Sequence, residues 1–333
     1  MTSQRTLSLE FRPFDPSHYD RFVQIRNANY PDQTVSVAEW RSWDEGLDKT
    51  KYLLRRFECI DQNNDQILGF GEVSHAIDMY HPRKFMVSLF VDPPQQGKGI
   101  GRAIYNRIAN ELSDLNATVA WSMNKEDLQV RVEFFRKRGF YEKQRLWESR
   151  LDLTTADPSR YGQYLDNASK QGITFTTLAE EQRKGPEALE KIHELVQLIM
   201  ADMPREASFT PVSYEQWEAL ALRNPRLVSE GFIIAKDGSR YIGLSNVLRN
   251  ETSPRLLNQD DTGVIREYRG RGIATALKLK ITEYAQKNRY TAIRTWNDSN
   301  NATMLAVNTK LGFKRQVGWI MMEKSLDPAP SHN

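Results

Sequence analysis

Hydrophobic and polar positions along this chain change period in a set order, and the order occurs twice. Within residues 86–91, Val87, Leu89 and Val91 alternate on one face, which predicts a strand. From residue 100 the spacing lengthens: Ile100, Ile104, Ile108 and Leu112 recur every fourth residue and draw one stripe along a helix. Upstream, the pattern predicts a strand near residues 7–11, helical segments before and after Pro31, and strands over 52–60 and 66–75. Downstream it predicts a strand over 117–123, a helix through Phe135 and a last strand ending near Leu153. The second pass begins with a strand over 173–177 and a helix carrying Leu189, Ile192, Val196 and Ile199 on one side. Strands over 231–235, 241–248 and around 262–264 follow, then a helix marked by Ile273, Leu277, Ile281 and Tyr284.

Side-chain identities reinforce the repeat. QGKGIG, from Gln96 to Gly101, returns as RGRGIA, from Arg269 to Ala274, and a Gly-Phe pair follows 40 residues after each turn, at Gly139 and Gly312. Val35, Ser36 and Trp40 are echoed by Val212, Ser213 and Trp217. Ser36 with Glu39, and Ser213 with Gln216, have capping-box spacing and each mark a helix start. The expected organisation is therefore two α/β units with mixed sheets: residues 1–153, a polar linker over 154–172, residues 173–328, and a tail over 329–333.

At 333 residues the chain is long enough for two ordinary domains. Lys and Arg together number 46 and Asp and Glu 43, leaving a net charge of +3 with no basic run, so no nucleic-acid partner is expected. Cys59 is the single cysteine, which rules out an internal disulfide and suits a reducing compartment; the cytoplasm is the expected location. No stretch reaches the roughly 20 apolar residues that span a bilayer, so no membrane association is expected. The five histidines are scattered without ligand spacing, and no metal is expected. Cys59 reads as a buried small apolar residue.

A strand that passes through a glycine-rich turn into a helix collects unpaired backbone N–H groups at one point, which makes an anion site. Glycine allows close approach of a phosphate, and Gln96 or Arg269 at the start of the turn offers a further donor. A P-loop would need Ser or Thr after Lys98, where Gly99 stands, and a dinucleotide motif would need glycine where Arg102 and Thr275 stand. The spacing Gln96, Gly99, Gly101 and Arg269, Gly272, Ala274 resembles the CoA pyrophosphate motif of the GNAT superfamily of acetyltransferases. The preceding LFVDP and TGV and the downstream FFRKRGF and NNATMLAVNTKLGF extend the resemblance over nearly the whole of both units. The tandem layout is similar to mycothiol synthase and other double GNAT proteins.

The resemblance implies a sheet splayed between its fourth and fifth strands with acetyl-CoA in the gap. The cofactor would lie against Val91, Gln96, Gly97, Lys98, Gly99, Ile100, Gly101 and Arg102 in the first unit. In the second it would lie against Val264, Arg269, Gly270, Arg271, Gly272, Ile273, Ala274 and Thr275. Many members carry an Asn and, seven residues on, a Tyr that protonates the thiolate; Asn301 and Asn308 occupy these positions in the second unit, Leu128 and Phe135 in the first. Neither unit has the Tyr, and Asn308 can bond but not supply a proton as a phenol can. Asp260 and Asp261 are the candidate general bases, with Glu72 and His75 as fallbacks in the first unit. Asp202, Arg205 and Glu206 lie where an acceptor loop is expected, and Trp40 and Trp217 in the core or the wall of the acceptor cleft. The leading expectation is an N-acetyltransferase acting on a primary amine of a small molecule, its C-terminal unit catalytic, as a monomer with an internal pseudo-dimer or as a homodimer. The alternatives are an acyl-CoA-binding or sensing protein and a protein or peptide acetyltransferase.

Overall fold

The computed structural model describes residues 7–205 and 207–327. Glu206 and the tail over 329–333 lie outside the described residues. Along the chain run β1 (Leu9–Pro13), α1 (Tyr19–Asn29), α2 (Val37–Gly46), β2 (Leu54–Asp61), β3 (Gln66–Ser74), β4 (Lys84–Val91), α3 (Ile100–Asp114), β5 (Val119–Lys125), α4 (Gln129–Arg136) and β6 (Tyr141–Asp152). Then come α5 (Gln163–Lys170), β7 (Ile173–Thr177), α6 (Leu178–Gln182), α7 (Pro186–Ala201), α8 (Tyr214–Trp217), β8 (Leu227–Asp237), β9 (Arg240–Arg249) and β10 (Leu256–Val264). α9 (Ile273–Lys287), β11 (Ala292–Asp298), α10 (Ala302–Lys310), β12 (Lys314–Arg315) and β13 (Trp319–Ser325) complete the order. Ser36 Oγ accepts from Glu39 N–H at 2.9 Å and Ser213 Oγ from Gln216 N–H at 3.2 Å, so α2 and α8 begin where their caps place them.

The chain divides into two compact units. The first comprises the residues up to Asn124, Leu128–Lys143 and those from Met321; the second comprises Lys125–Asp127 and Gln144–Ile320. Strand order in the first sheet is β1-β2-β3-β4-β5-β13, and in the second β6-β11-β10-β9-β8-β7. The sequence expectation needs correction here. β6, which closes the first repeat in sequence, pairs antiparallel with β11, from Asp152 opposite Ala292 to Leu146 opposite Asp298. β13, which closes the second repeat, completes the first sheet beside β5. There Glu323 accepts from Trp121 Nε1 at 2.8 Å, and Leu326 N–H donates to Thr118 C=O at 2.8 Å. The segment expected to be a linker also belongs to the second unit: it contains α5, whose Ala168 is buried in that unit's core. A strand pairs with whichever edge offers free N–H and C=O groups, and nothing local to its own sequence names that edge.

Each sheet buries both faces. In the first unit Phe22 of α1 stacks edge-on against Phe70 and Phe90, while Ile104 and Ile108 of α3 cover the opposite face. That helix sits so close that a Cβ on Gly71 would come within 2.3 Å of the Phe57 ring and 2.8 Å of Ile104. In the second unit Ile192, Leu195 and Ile199 of α7 and Leu277, Ile281 and Ala285 of α9 belong to one apolar core with Ile234, Leu244 and Val247. A chain ended at Ile320 is expected to lose amide protection in β5, while Ala292–Asp298 of β11 keep theirs. Hydrogen exchange read by mass spectrometry checks this, and unchanged protection of β5 would contradict the assignment of β13 to the first sheet.

Candidate active site

Both glycine turns lie between a central strand and the helix that follows it. Gly99 and Gly272 are the residues before α3 and α9, with φ of 85° and 80°, a left-handed conformation that glycine adopts without steric cost. No side chain caps either helix. α2, α6, α8 and α10 have such a cap, from Ser36, Thr177, Ser213 and Asn301, whereas α1, α4, α5 and α7 also lack one. Left-handed glycine immediately before the first turn is what α3 and α9 share. Their bare ends present first-turn N–H groups and the positive end of the helix dipole, which together suit an anion.

Next to each turn the sheet opens. β4 pairs in parallel with β5 at Lys84, Phe85 and Met86 only. β10 pairs in parallel with β11 at Leu256, Leu257 and Asn258 only. Beyond those residues the strands part, leaving a slot edged by backbone N–H and C=O groups without strand partners. An extended ligand that carries amides can take the place of the missing strand.

The two slots differ in how these groups are met. In the first unit Arg131 of α4 donates from Nη1 to Leu89 C=O at 2.7 Å and from Nε to Asn124 Oδ1 at 2.8 Å, tying β4 to β5. Its guanidinium lies over Tyr30, Phe90 and Phe135, so its charge is held by ring faces as well as oxygens. The position equivalent to Arg131 in the second unit is Met304, whose side chain has no donor to offer. There Asn308 donates from Nδ2 to Asn297 Oδ1 at 2.6 Å, and its own Oδ1 is buried without a hydrogen-bond partner. A buried acceptor left in this state costs desolvation energy that a ligand N–H would recover.

The strands that edge the slots differ too. β4 runs in unbroken register against β3, with Ser88 opposite Glu72 and Leu89 opposite Gly71. β10 carries a bulge against β9: Gln259 pairs with Val247 and Thr262 with Ser245, so Asp260 and Asp261 together face Asn246. Asn246 is buried and holds the bulge from both ends. Its Oδ1 accepts from Asp261 N–H at 2.9 Å, and its Nδ2 donates to Asp260 Oδ2 at 3.2 Å. Asp260 lies on an exposed stretch of the bulge, where desolvation by the surrounding chain raises its carboxyl above the ordinary aspartate range, with the Asn246 amide and the Arg226 charge pulling the other way. A carboxylate of raised pKa is a stronger base.

The fallback bases of the first unit are occupied. Glu72 accepts from Arg56 Nε at 2.8 Å, and Arg56 is buried between Glu72 and Asp44, which also accepts from Tyr19 O–H at 2.6 Å. His75 stacks on Phe85 with ring centroids 4.6 Å apart, accepts from Leu53 N–H at Nδ1, and is held below the ordinary histidine range by burial. Cys59 is fully buried and its thiol is pushed up to about 12, which keeps it in the unreactive thiol form.

Several sequence candidates have different partners from those expected. Gln96 donates to Val91 C=O at 3.3 Å and Arg269 to Val264 C=O at 2.9 Å, so these side chains close the ends of their strands. Arg269 also pairs with Asp202 at 2.6 Å, and Arg266 pairs with the same carboxylate. Asp202 is thereby spent on the turn. Arg205 donates to backbone carbonyls of its own loop, and Glu206 lies outside the described residues. Asn301 caps α10, accepting from Met304 N–H at 3.1 Å. Lys98 and Arg271 bond to Gln95 and to Glu267 C=O beside their turns, and Arg102 is exposed. Trp40 packs on Phe22, and Trp217 lies in the core beside His193. Asn246, Arg131, Met304 and Asn297 were not singled out from sequence, because what each does at the slot depends on strands far along the chain.

The Acetyltransferase (GNAT) family profile matches residues 192–313, and the Acetyltransferase (GNAT) domain profile matches residues 56–142, together well over half of the chain. The L-amino acid N-acyltransferase MnaT of Escherichia coli (strain K12) is 24% identical over 177 residues, which is 51% of this chain and 90% of that protein. Among solved structures, a tandem GNAT protein from the clavulanic acid biosynthesis pathway aligns over 97% of this chain and all of its own, at 18% identity and TM-score 0.73. A GCN5-related N-acetyltransferase from Sphaerobacter thermophilus aligns over 97% of this chain and 98% of its own, at 16% identity and TM-score 0.68. Duplicated glycine turns, parted central strands and two family matches lead to one conclusion: this chain belongs to the GNAT superfamily and is an acyltransferase built from two GNAT domains in tandem.

Proposed function

We propose that the second unit transfers an acetyl group from acetyl-CoA to the primary amine of a small molecule, and that the first unit does not turn over. The observation that carries this reading is the pairing of an open slot with a bulged β10 in the second unit, against a filled slot and a flat β4 in the first. The name of the amino acid acyltransferase relative supports a small amine as acceptor.

Acetyl-CoA brings an acyl carbon activated as a thioester. The backbone N–H groups of Gly272, Ile273, Ala274 and Thr275 would take its pyrophosphate at the bare end of α9. The open edge of β10 and the free Oδ1 of Asn308 fit the amides of its arm. An amine attacks only as the neutral base. As its nitrogen bonds the acyl carbon the C–S bond would break, CoA would leave as the thiolate, and Asp260, whose pKa is raised, would accept the proton that the nitrogen loses. Holding the two reactants together in the slot contributes the larger part of the rate.

Calorimetric titration with acetyl-CoA is expected to find one site per chain. Met304→Arg, which copies the Arg131 plug into the second unit, should abolish that site, whereas Arg131→Met should leave turnover unchanged; two equal sites in the wild-type chain would refute the division of labour. Asp260→Asn should lower kcat/KM for amine acetylation by about 10²–10⁴-fold, the usual worth of a general base. It should also remove an ionisation that lies above the ordinary aspartate range from the pH profile. The same substitution should act oppositely on stability. A carboxyl whose pKa is raised by folding contributes stability at low pH that is lost as pH rises through the folded value. Asp260→Asn should therefore raise the Tm at neutral pH and leave no gain below the ordinary aspartate range, as melting curves across pH will show.

A further inference from the structure

Lys278 of α9 is a buried lysine, 2% exposed, with no ion pair among the described residues. Burial lowers its ammonium to about 7. It heads a line of buried polar groups. Lys278 Nζ donates to Gln259 Oε1 at 2.5 Å, Gln259 Nε2 donates to Ser245 Oγ at 2.9 Å, and Ser245 Oγ lies 2.7 Å from Thr262 Oγ1. Gln259 and Ser245 are as buried as Lys278; Thr262 is the first member that solvent reaches. It stands directly after the bulge, on the stretch of β10 that has parted from β11.

The chemistry of the members gives the line a direction. With Lys278 Nζ donating to Gln259 Oε1, the amide oxygen of Gln259 faces Lys278 and its NH₂ faces Ser245. Ser245 Oγ accepts that NH₂ on one lone pair and lies against Thr262 Oγ1 in a contact where either hydroxyl can donate. In the arrangement in which Ser245 donates, Thr262 accepts and its own hydrogen points away from the core.

The fold does not require this line. At the equivalent positions of the first unit stand Val87 for Gln259, Gly71 for Ser245, Leu89 for Thr262 and Tyr105 for Lys278. Val87, Leu89 and Tyr105 are buried there, so the same layer is filled almost entirely by apolar groups. The second unit instead buries an amide, a hydroxyl and an ammonium, each costly to desolvate, beside the slot that is open.

We propose that Thr262 is a catalytic hydrogen-bond donor of the second unit, and that Lys278, through Gln259 and Ser245, is the positioning residue that keeps the Thr262 hydroxyl hydrogen turned toward the slot. The donor stabilises negative charge as it develops on the thioester during acyl transfer, and no proton leaves Thr262. A donor fixed before the reaction begins costs no reorganisation, which is why such groups are effective. The proposal rests on the acyl-transfer reading of this slot.

Gln259→Glu provides the test. The carboxylate keeps the shape and the contact with Lys278 but accepts on both oxygens, so Ser245 must donate to it and Thr262 must donate back to Ser245, turning its hydrogen inward. A purely structural role predicts unchanged or improved behaviour, because Lys278 gains a counter-charge. We expect Gln259→Glu to keep or raise the Tm, to leave calorimetric affinity for acetyl-CoA unchanged, and to lower kcat at least about 10-fold without raising KM for the amine. Thr262→Val should lower kcat by about 10²–10³-fold, Thr262→Ser should restore it, and adding Gln259→Glu to Thr262→Val should cost nothing further. Unaltered kcat in Gln259→Glu and Thr262→Val, with an active wild-type chain, would overturn the Thr262 role alone. Failure of the wild-type chain to release CoA with any amine would overturn the acyl-transfer reading, and this role with it.

Discussion

The parting of a parallel strand pair is the constraint on which the rest of the second unit depends. Two strands that pair at Leu256, Leu257 and Asn258 and then separate leave donors and acceptors on both facing edges. Protein interiors do not leave such groups unmet, so something must stand between the strands. In the first unit the chain supplies it: the Arg131 guanidinium bonds a β4 carbonyl and a β5 side chain at once. In the second unit Met304 supplies nothing, and Asn308 is left with an unsatisfied oxygen. One architecture thus yields a closed unit and a receptive one through what a single helix position projects into the gap.

The bulge extends this contrast along β10. One additional residue between Gln259 and Thr262 places two aspartates opposite Asn246 and carries the strand away from flat pairing. Where β4 keeps flat register, its side chains continue the core, and the carboxylate opposite Ser88, Glu72, neutralises a buried arginine. Shared fold does not imply shared activity, and here the divergence is carried by residues that edge the slot and by the buried polar line behind it.

Much of this was legible in the sequence because its signals are local. The fourfold stripe of Ile100, Ile104 and Ile108, the serine caps and the glycine turns each specify conformation within a few residues, and the repeat at Gly139 and Gly312 tied them into two units. What escaped depends on partners far away in sequence. A bulge exists only relative to the strand opposite. Arg131 lies in a helix rich in charge and reads as one more surface cation, although its reach between two strands defines the first unit. Arg269 and Gln96 were legible as members of the turn, but their use in closing the ends of β10 and β4 depends on the angle at which each turn leaves its strand. Lys278 sits in ALKLKI among apolar neighbours, where a lysine is ordinarily an exposed residue.

The exchange of closing strands sets an order of assembly. β5 is synthesised nearly two hundred residues before β13, so on the ribosome the first sheet must wait with a bare edge until the last strand emerges. The second sheet has its outer strand, β6, already made when β11 appears. The unit that begins first is therefore the one that finishes last. Cutting the gene between the two repeats would yield two fragments, each lacking one strand of its own sheet and each carrying a strand, β6 or β13, with no sheet to join.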